Sequence, residues 1–338
     1  MGKAIIRLKD IADKTGFSTN TVSLALRESP RIPKETRDLI ALTARELNYL
    51  PNHIAKSLVS RQTMTIGLVL TDITNPTLTR TAQAIEIALA ERGYGTFFAT
   101  SNNTLAEEIK AVEMFRSRQV DGMLIYPTSH RDLDHIRPLR RANYPVVLLV
   151  ADPDAGIDAV CVDERRGAYK ATRHLIDTGH RRIGLIDSAN PLGNLEKREG
   201  YQQALQEAGL VYDPKLAIDP KGHSVMRGFW AMDTMMNAVE RPTAVFAAND
   251  SLAIGALRWC QKNNVRVPAD VAIIGFDNIE YAEHAGVPIS SVNYAVDIVS
   301  DMAVDRLMRL IGAGDVLPEP RVTMIDPEII VRESTAGQ

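Results

Sequence analysis

The hydrophobic period changes at Arg61, and that change divides the chain into two kinds of structure. Before it, apolar residues recur at helical spacing in three short segments. Leu8–Lys14 and Thr19–Leu26 are joined at Gly16, a residue that tolerates the left-handed turn between perpendicular helices. Ile11 and Ala12 on the first, with Val22, Ala25 and Leu26 on the second, supply an apolar wedge. A third helix from Pro33 to Leu47 closes it through Leu39, Ile40, Ala44 and Leu47, with Pro33 in the first turn because it has no N–H to leave unpaired. The second helix opens Ser18-Thr19-Asn20-Thr21-Val22-Ser23, small polar groups where a helix entering a major groove needs them. Residues 1–50 therefore read as a helix-turn-helix headpiece. A plain three-helix scaffold is the alternative that this turn alone leaves open.

Tyr49-Leu50-Pro51-Asn52 stops the third helix, and Asn52–Leu58 offers one more short helical segment with few apolar partners. Such a segment is marginal alone and is expected to fold on a partner. Residues 51–63 are read as this hinge helix and its linker.

Beyond Ser60-Arg61-Gln62-Thr63, continuous apolar runs alternate with amphipathic ones. Thr65–Thr71, Gly95–Thr100, Gly122–Tyr126 and Pro145–Val150 read as strands, with helices near Thr77–Arg92, Leu105–Arg118 and Leu133–Arg141. A second series follows Asp163: helix Gly167–Thr178, strand Arg182–Asp187, helix Leu195–Ala208, then strands Ala244–Ala247 and Val271–Phe276 around helix Ser251–Asn263. Buried strands between helices mean parallel sheets covered on both faces. The fold class is an all-α headpiece plus an α/β body of two doubly wound parallel-sheet halves, over residues 64–338. Ligands in such sheets sit outside the carboxyl ends of strands. Asp72, Asp163-Glu164, Asn249-Asp250 and Asp277-Asn278 stand at those ends; Asn249 and Asp250 would equally suit a helix cap, and Asp277 a turn.

At 338 residues the chain exceeds one usual core, so two or three domains are expected. Its 45% hydrophobic and 24% charged content fits a globular protein. With no long uninterrupted apolar stretch and no signal-peptide core in MGKAIIRLKD, a cytoplasmic location without membrane association is expected. The net charge of −3 is uneven: residues 1–62 carry eleven Lys/Arg against six Asp/Glu, so the remainder holds −8. A basic small domain on an acidic body points to a polyanion partner at one end. Cys161 and Cys260 read as buried thiols rather than a disulfide or metal pair.

An enzyme on this core would need a Gly-x-Gly-x-x-Gly after its first strand, a Gly-x-Ser-x-Gly elbow, a phosphate loop or a His-Glu-x-x-His. None occurs, so no catalysis, cofactor or metal is expected. A sugar-binding transport protein would share the body but lack the headpiece.

The runs NTVSLAL and ELNYLPN, the hinge pattern Asn52-x-x-Ala55-x-x-Leu58, DTGHRRIGLI around His180, Ala247–Leu257 and Val267–Asn278 follow one another over nearly the whole chain. Together they resemble the lactose-repressor (purine/galactose repressor) family of bacterial transcription regulators. The resemblance implies a periplasmic-binding-protein-like body whose chain crosses between halves near Asp163, 291–293 and 323–325. The first half is then 64–162 plus 293–324 and the second 163–292 plus 325–334, with Val296–Ile311 returning to the first. It implies base contacts from Thr19, Asn20 and Leu24, phosphate contacts from Ser18, Thr21 and Ser23, and a minor-groove hinge of Asn52, Ala55 and Leu58. Arg198, Asn249 and Asp277 match the commonest effector-binding positions, and Asp72, Asp163, His223 and Tyr294 join them. The partners implied are double-stranded palindromic operator DNA, a sugar or sugar-acid effector that releases it (or, as a corepressor, strengthens binding) and a second copy of the chain. The ending IIVRESTAGQ, without heptads after Arg332, points to a homodimer rather than a tetramer. Two departures stand out: Thr77-Leu78 follows Asn75-Pro76 where sugar-binding relatives carry an aromatic residue, and Val150-Ala151 precedes Asp152 where an aspartate is common.

Overall fold

The computed structural model describes residues 6–50, 62–188 and 194–336. The chain forms two compact units, up to residue 63 and from residue 64.

In the first unit, α1 (Leu8–Thr15), α2 (Thr19–Leu26) and α3 (Lys34–Glu46) enclose a small core of Ile11, Ala12, Val22, Ala25, Ile40 and Ala44. Gly16 ends α1 at φ 76°, the left-handed conformation that lets its N–H return to Ala12. Pro33 stands just outside α3 as its N-cap instead of inside its first turn. Leu39 is 48% exposed and is not a core residue. The buried face of α3 is set by Ile40, Thr43 and Ala44, and Leu39 lies about 100° round the helix from Ile40.

The second unit begins β1 (Thr65–Leu70), α4 (Pro76–Glu91), β2 (Gly95–Thr100), α5 (Leu105–Ser117), β3 (Gly122–Ile125), α6 (Arg137–Arg141), β4 (Val146–Leu148) and β5 (Ala159–Val162). It continues α7 (Glu164–Asp177), β6 (Ile183–Ile186), α8 (Glu196–Glu207), β7 (Ala217–Ile218), α9 (Val225–Met236), β8 (Ala244–Ala247), α10 (Asp250–Lys262), β9 (Ala272–Asp277), α11 (Glu280–Glu283) and β10 (Ser290–Asn293). It closes with α12 (Val296–Gly312), β11 (Val322–Ile325) and β12 (Ile329–Ile330). Among the described residues these strands make two sheets, in the orders β11-β5-β4-β3-β1-β2 and β12-β10-β9-β8-β6-β7. All pairings are parallel except β10 with β12. The central strands are short, largely buried runs, wholly so in GMLI of β3 and AVFA of β8, which only helices on both faces can cover.

The chain leaves the first sheet after β5, returns after β10 through α12, and crosses again between β11 and β12. The return is fastened by charge. Asp158, fully buried, accepts from Arg140 (3.0 Å) and from Arg306 of α12 (2.7 Å), so its charge is paired on both sides. The helix expected over Leu133–Arg141 is confined to α6, because starting it at Leu133 would leave Pro138 in the interior with no N–H to donate. The helix expected from Gly167 starts three residues earlier, at Glu164, with Asp163 as its cap.

Candidate functional site

A cleft of about 130 Å³ opens between the two sheets. Its walls come from the carboxyl ends of strands on both sides: Thr71 and Asp72 after β1, Tyr126 to Thr128 after β3, Asp187 and Ser188 after β6, Asn249 after β8, Asp277 at the end of β9 and Tyr294 after β10. Volume at this scale holds roughly ten water molecules, the size of one or two sugar rings.

Five expected residues line it: Asp72, His223, Asn249, Asp277 and Tyr294. Asp72 Oδ1 accepts from the N–H of Thr74 at 2.8 Å, which holds the loop after β1 in an Asx turn. Asn249 has two roles, since its Oδ1 caps α10 through Leu252 N–H (2.8 Å) while its Nδ2 lies 3.4 Å from His223 Nδ1. Its neighbour Asp250 serves the frame. That carboxylate is fully buried and accepts from Ile279 N–H (2.8 Å) and the Ser291 hydroxyl (2.7 Å), tying α10 to the ends of β9 and β10.

Two expectations are corrected, and each is wrong by one residue. Arg198 does not line the cleft; Lys197 does. Asp163 does not line it either, because its carboxylate turns to cap α7 by accepting from Arg166 N–H (2.8 Å), and Glu164 faces the cleft instead. Successive residues on a helix point about 100° apart, so only one of each pair can look inward. The two inward residues meet: Lys197 Nζ is 3.2 Å from Glu164 Oε1 and 4.4 Å from the centre of the Phe276 ring. Gly200 makes this possible. A Cβ there would lie 2.0 Å from the carbonyl oxygen of Arg165, so glycine is what lets α8 lie against α7 with Lys197 opposite Glu164.

Electrostatics follow from enclosure. Burial pushes Asp277 up to about 7 against the pull of Lys197, and pushes Asp187 up to about 6 against Lys197 and Arg198. Burial alone would lower the Lys197 ammonium, but Glu164, Asp277 and Asp187 outweigh it and hold its pKa above the ordinary value. Burial likewise raises the Tyr294 hydroxyl well above the usual range. Sequence reasoning placed Glu164 at a strand end but chose its neighbour Asp163 as the contact, and it missed Lys197, Asp187, Asn194 and His130. The last two come from loops: Asn194 Oδ1 accepts from His130 N–H (3.0 Å) and its Nδ2 donates to the Thr128 carbonyl (3.0 Å).

In the first unit, Thr19 and Asn20 are exposed at the start of α2, and Leu24 and Ser23 are half-buried. Ser18 caps the helix by accepting from Thr21 N–H (3.1 Å), and the two hydroxyls lie 2.9 Å apart. Asn52, Ala55 and Leu58 lie outside the described residues.

A helix-turn-helix unit and a two-sheet body with a polar cleft at its strand ends define a ligand-responsive DNA-binding regulator. Residues 7–52 match the family model for bacterial regulatory proteins of the lacI family, and residues 172–335 match that for a periplasmic binding protein-like domain. The HTH-type transcriptional repressor PurR of Vibrio atlanticus (strain LGP32) is 30% identical over 332 residues, covering 97% of this chain and 98% of the relative. A solved transcriptional regulator, CelR in complex with cellobiose, is 30% identical with a TM-score of 0.71, over 97% of this chain and 99% of the other. The lac repressor dimer bound to operator and the anti-inducer ONPF shares the fold at a TM-score of 0.86 and 24% identity, over 98% and 99%. The chain belongs to the lacI family of bacterial regulatory proteins. No helix among the described residues is long and apolar enough to cross a membrane.

Proposed function

We propose that this protein is a dimeric repressor that reads a palindromic operator with α2 and leaves it when an uncharged sugar or polyol fills the cleft. The observation that carries the effector class is the balance of charge at the site. Among the described residues lining the cleft, Asp72, Glu164, Asp187 and Asp277 are acidic, and Lys197 is already paired with Glu164 at 3.2 Å. A sugar acid would find no unpaired ammonium there and would face carboxylates; hydroxyl groups find acceptors and amides on every wall. The complex of the related regulator CelR with cellobiose is in keeping with a neutral ligand. The relatives are transcriptional regulators.

On the DNA side, Asn20 at the exposed start of α2 is suited to pair bidentately with adenine, and Thr19 and Leu24 to reach neighbouring base edges. Ser23 remains a candidate phosphate contact, and Ser18 and Thr21 offer the same role from the cap they form. The hinge residues Asn52, Ala55 and Leu58 are proposed to order in the minor groove, with Leu58 as the wedge. Dimerisation is supported by the first sheet's edge, where β2 exposes Phe97 and Phe98 and the flanking helices α4 and α5 expose Ile87 and Met114.

Selection of duplexes from a random pool, followed by thermal-shift screening against paired neutral and acidic sugars, tests the reading. A palindromic consensus and stabilisation by a neutral member support it. Absence of any sequence preference would end the operator assignment, and stabilisation by acids alone would end the effector class.

A further inference from the structure

We propose that His130, Glu164 and Glu196 form a site for a divalent transition-metal ion of the zinc class, bridging the two halves of the body at the edge of the cleft. One ligand atom from each lies within 4.8 Å of the other two. A tetrahedral ion with bonds of about 2.0–2.2 Å sets its ligand atoms about 3.2–3.6 Å apart, so the site assembles with side-chain shifts of about 1 Å. His130 comes from the loop after β3 of the first sheet, whereas Glu164 and Glu196 open α7 and α8 of the second half.

Acidic residues at helix starts are ordinary, and two glutamates alone would carry nothing. The imidazole supplies the independent observation. His130 is only 4% exposed, and its Nδ1 makes no hydrogen bond among the described residues although it lies 3.2 Å from Glu196 Oε1. Both carboxylate oxygens of Glu196 are buried without a well-aligned hydrogen bond, and the 3.2 Å contact of Oε1 with this imidazole is an ion pair that the metal would replace. One imidazole nitrogen and one carboxylate oxygen from each glutamate are a donor set of mixed N and O character, the kind that zinc accepts with an open position for water or substrate. Charge agrees: Glu164, Asp187 and Asp277 surround the Lys197 ammonium, and a divalent ion at Glu164 and Glu196 offsets part of this acidity. Lys197, 3.2 Å from Glu164 Oε1, competes for this carboxylate, so micromolar rather than tighter affinity is expected.

The test is calorimetric titration of untagged, chelator-treated full chain with zinc chloride and, separately, manganese chloride. One ion per chain is expected, with zinc the tighter. Binding is expected to weaken at least about ten-fold in His130→Ala and in Glu196→Gln, and to persist in the surface control His284→Ala. Circular dichroism verifies that each variant is folded. No stoichiometric binding to the parent chain overturns the site and leaves His130 and Glu196 as a simple ion pair. Equal binding by folded His130→Ala overturns it too. Neither result bears on sugar binding, so the effector reading is judged separately.

Discussion

At the scale of single residues, the cleft turns on Lys197 and Asp277. Lys197→Met removes an ammonium that faces the cleft, while Arg198→Ala removes a guanidinium that does not. Thermal-shift titration with the neutral sugar found by screening is expected to lose its response in the first variant and keep it in the second. The reverse pattern would restore Arg198 as the ligand contact. Asp277 supplies a pH dependence whose sign is fixed by its raised pKa. Between about pH 4 and pH 7 the unfolded carboxyl gives up its proton while the buried native one keeps it, so stability declines as pH rises through that window and levels off above it. Asp277→Asn removes this slope. Its Tm is expected to match the parent near pH 4 and exceed it at pH 8 by about 2–4 °C, read by differential scanning calorimetry. The residues legible in the sequence were those at strand ends, Asp72, Asn249 and Asp277, because a strand's end fixes which way the next side chain points. At helix starts the choice within each pair was not legible: Lys197 against Arg198, and Glu164 against Asp163. A shift of one residue in phase rotates a helical side chain by about 100°, and sequence alone does not fix that phase.

Elements are held where close approach is allowed. Gly200 is the clearest case, since a helix interior ordinarily favours alanine over glycine by about 1 kcal/mol. Here the added Cβ would lie 2.0 Å from Arg165 O and 2.9 Å from Tyr169 N, both backbone atoms that side-chain motion cannot move aside. Gly200→Ala is therefore expected to destabilise by about 1–3 kcal/mol in denaturant unfolding, with Lys197 displaced from Glu164 and sugar binding weakened. A stabilised variant would show that α8 does not lean on α7 in this way. The long amphipathic helices and the apolar strands β1, β3 and β8 were legible because their periods are unmixed. β5, with only Ala159–Val162, and the two-residue β12 escaped because a short strand carries no period of its own and is made by its neighbours in the sheet. α9 escaped as well, although its buried Gly228, Ala231, Met232, Met235 and Met236 recur at helical spacing.

At the scale of the whole molecule, the proposed function requires a dimer, because a palindrome is read by two headpieces at once. Phe98, 43% exposed on the edge strand β2, is placed to serve that contact. Phe98→Glu is expected to give a monomer by analytical ultracentrifugation and to weaken specific DNA binding; an unchanged dimer would move the interface elsewhere. Coupling between cleft and DNA needs a ligand whose affinity differs between the DNA-bound and released states. The most direct measurement is fluorescence-anisotropy titration of the selected palindromic duplex, at one fixed salt concentration, with and without saturating neutral sugar, in the parent chain and in Lys197→Met. At least a ten-fold loss of duplex affinity is expected on adding sugar to the parent, and no change in the variant. Duplex affinity that is indifferent to sugar in the parent would contradict this coupling, and affinity that rises would make the ligand a corepressor instead.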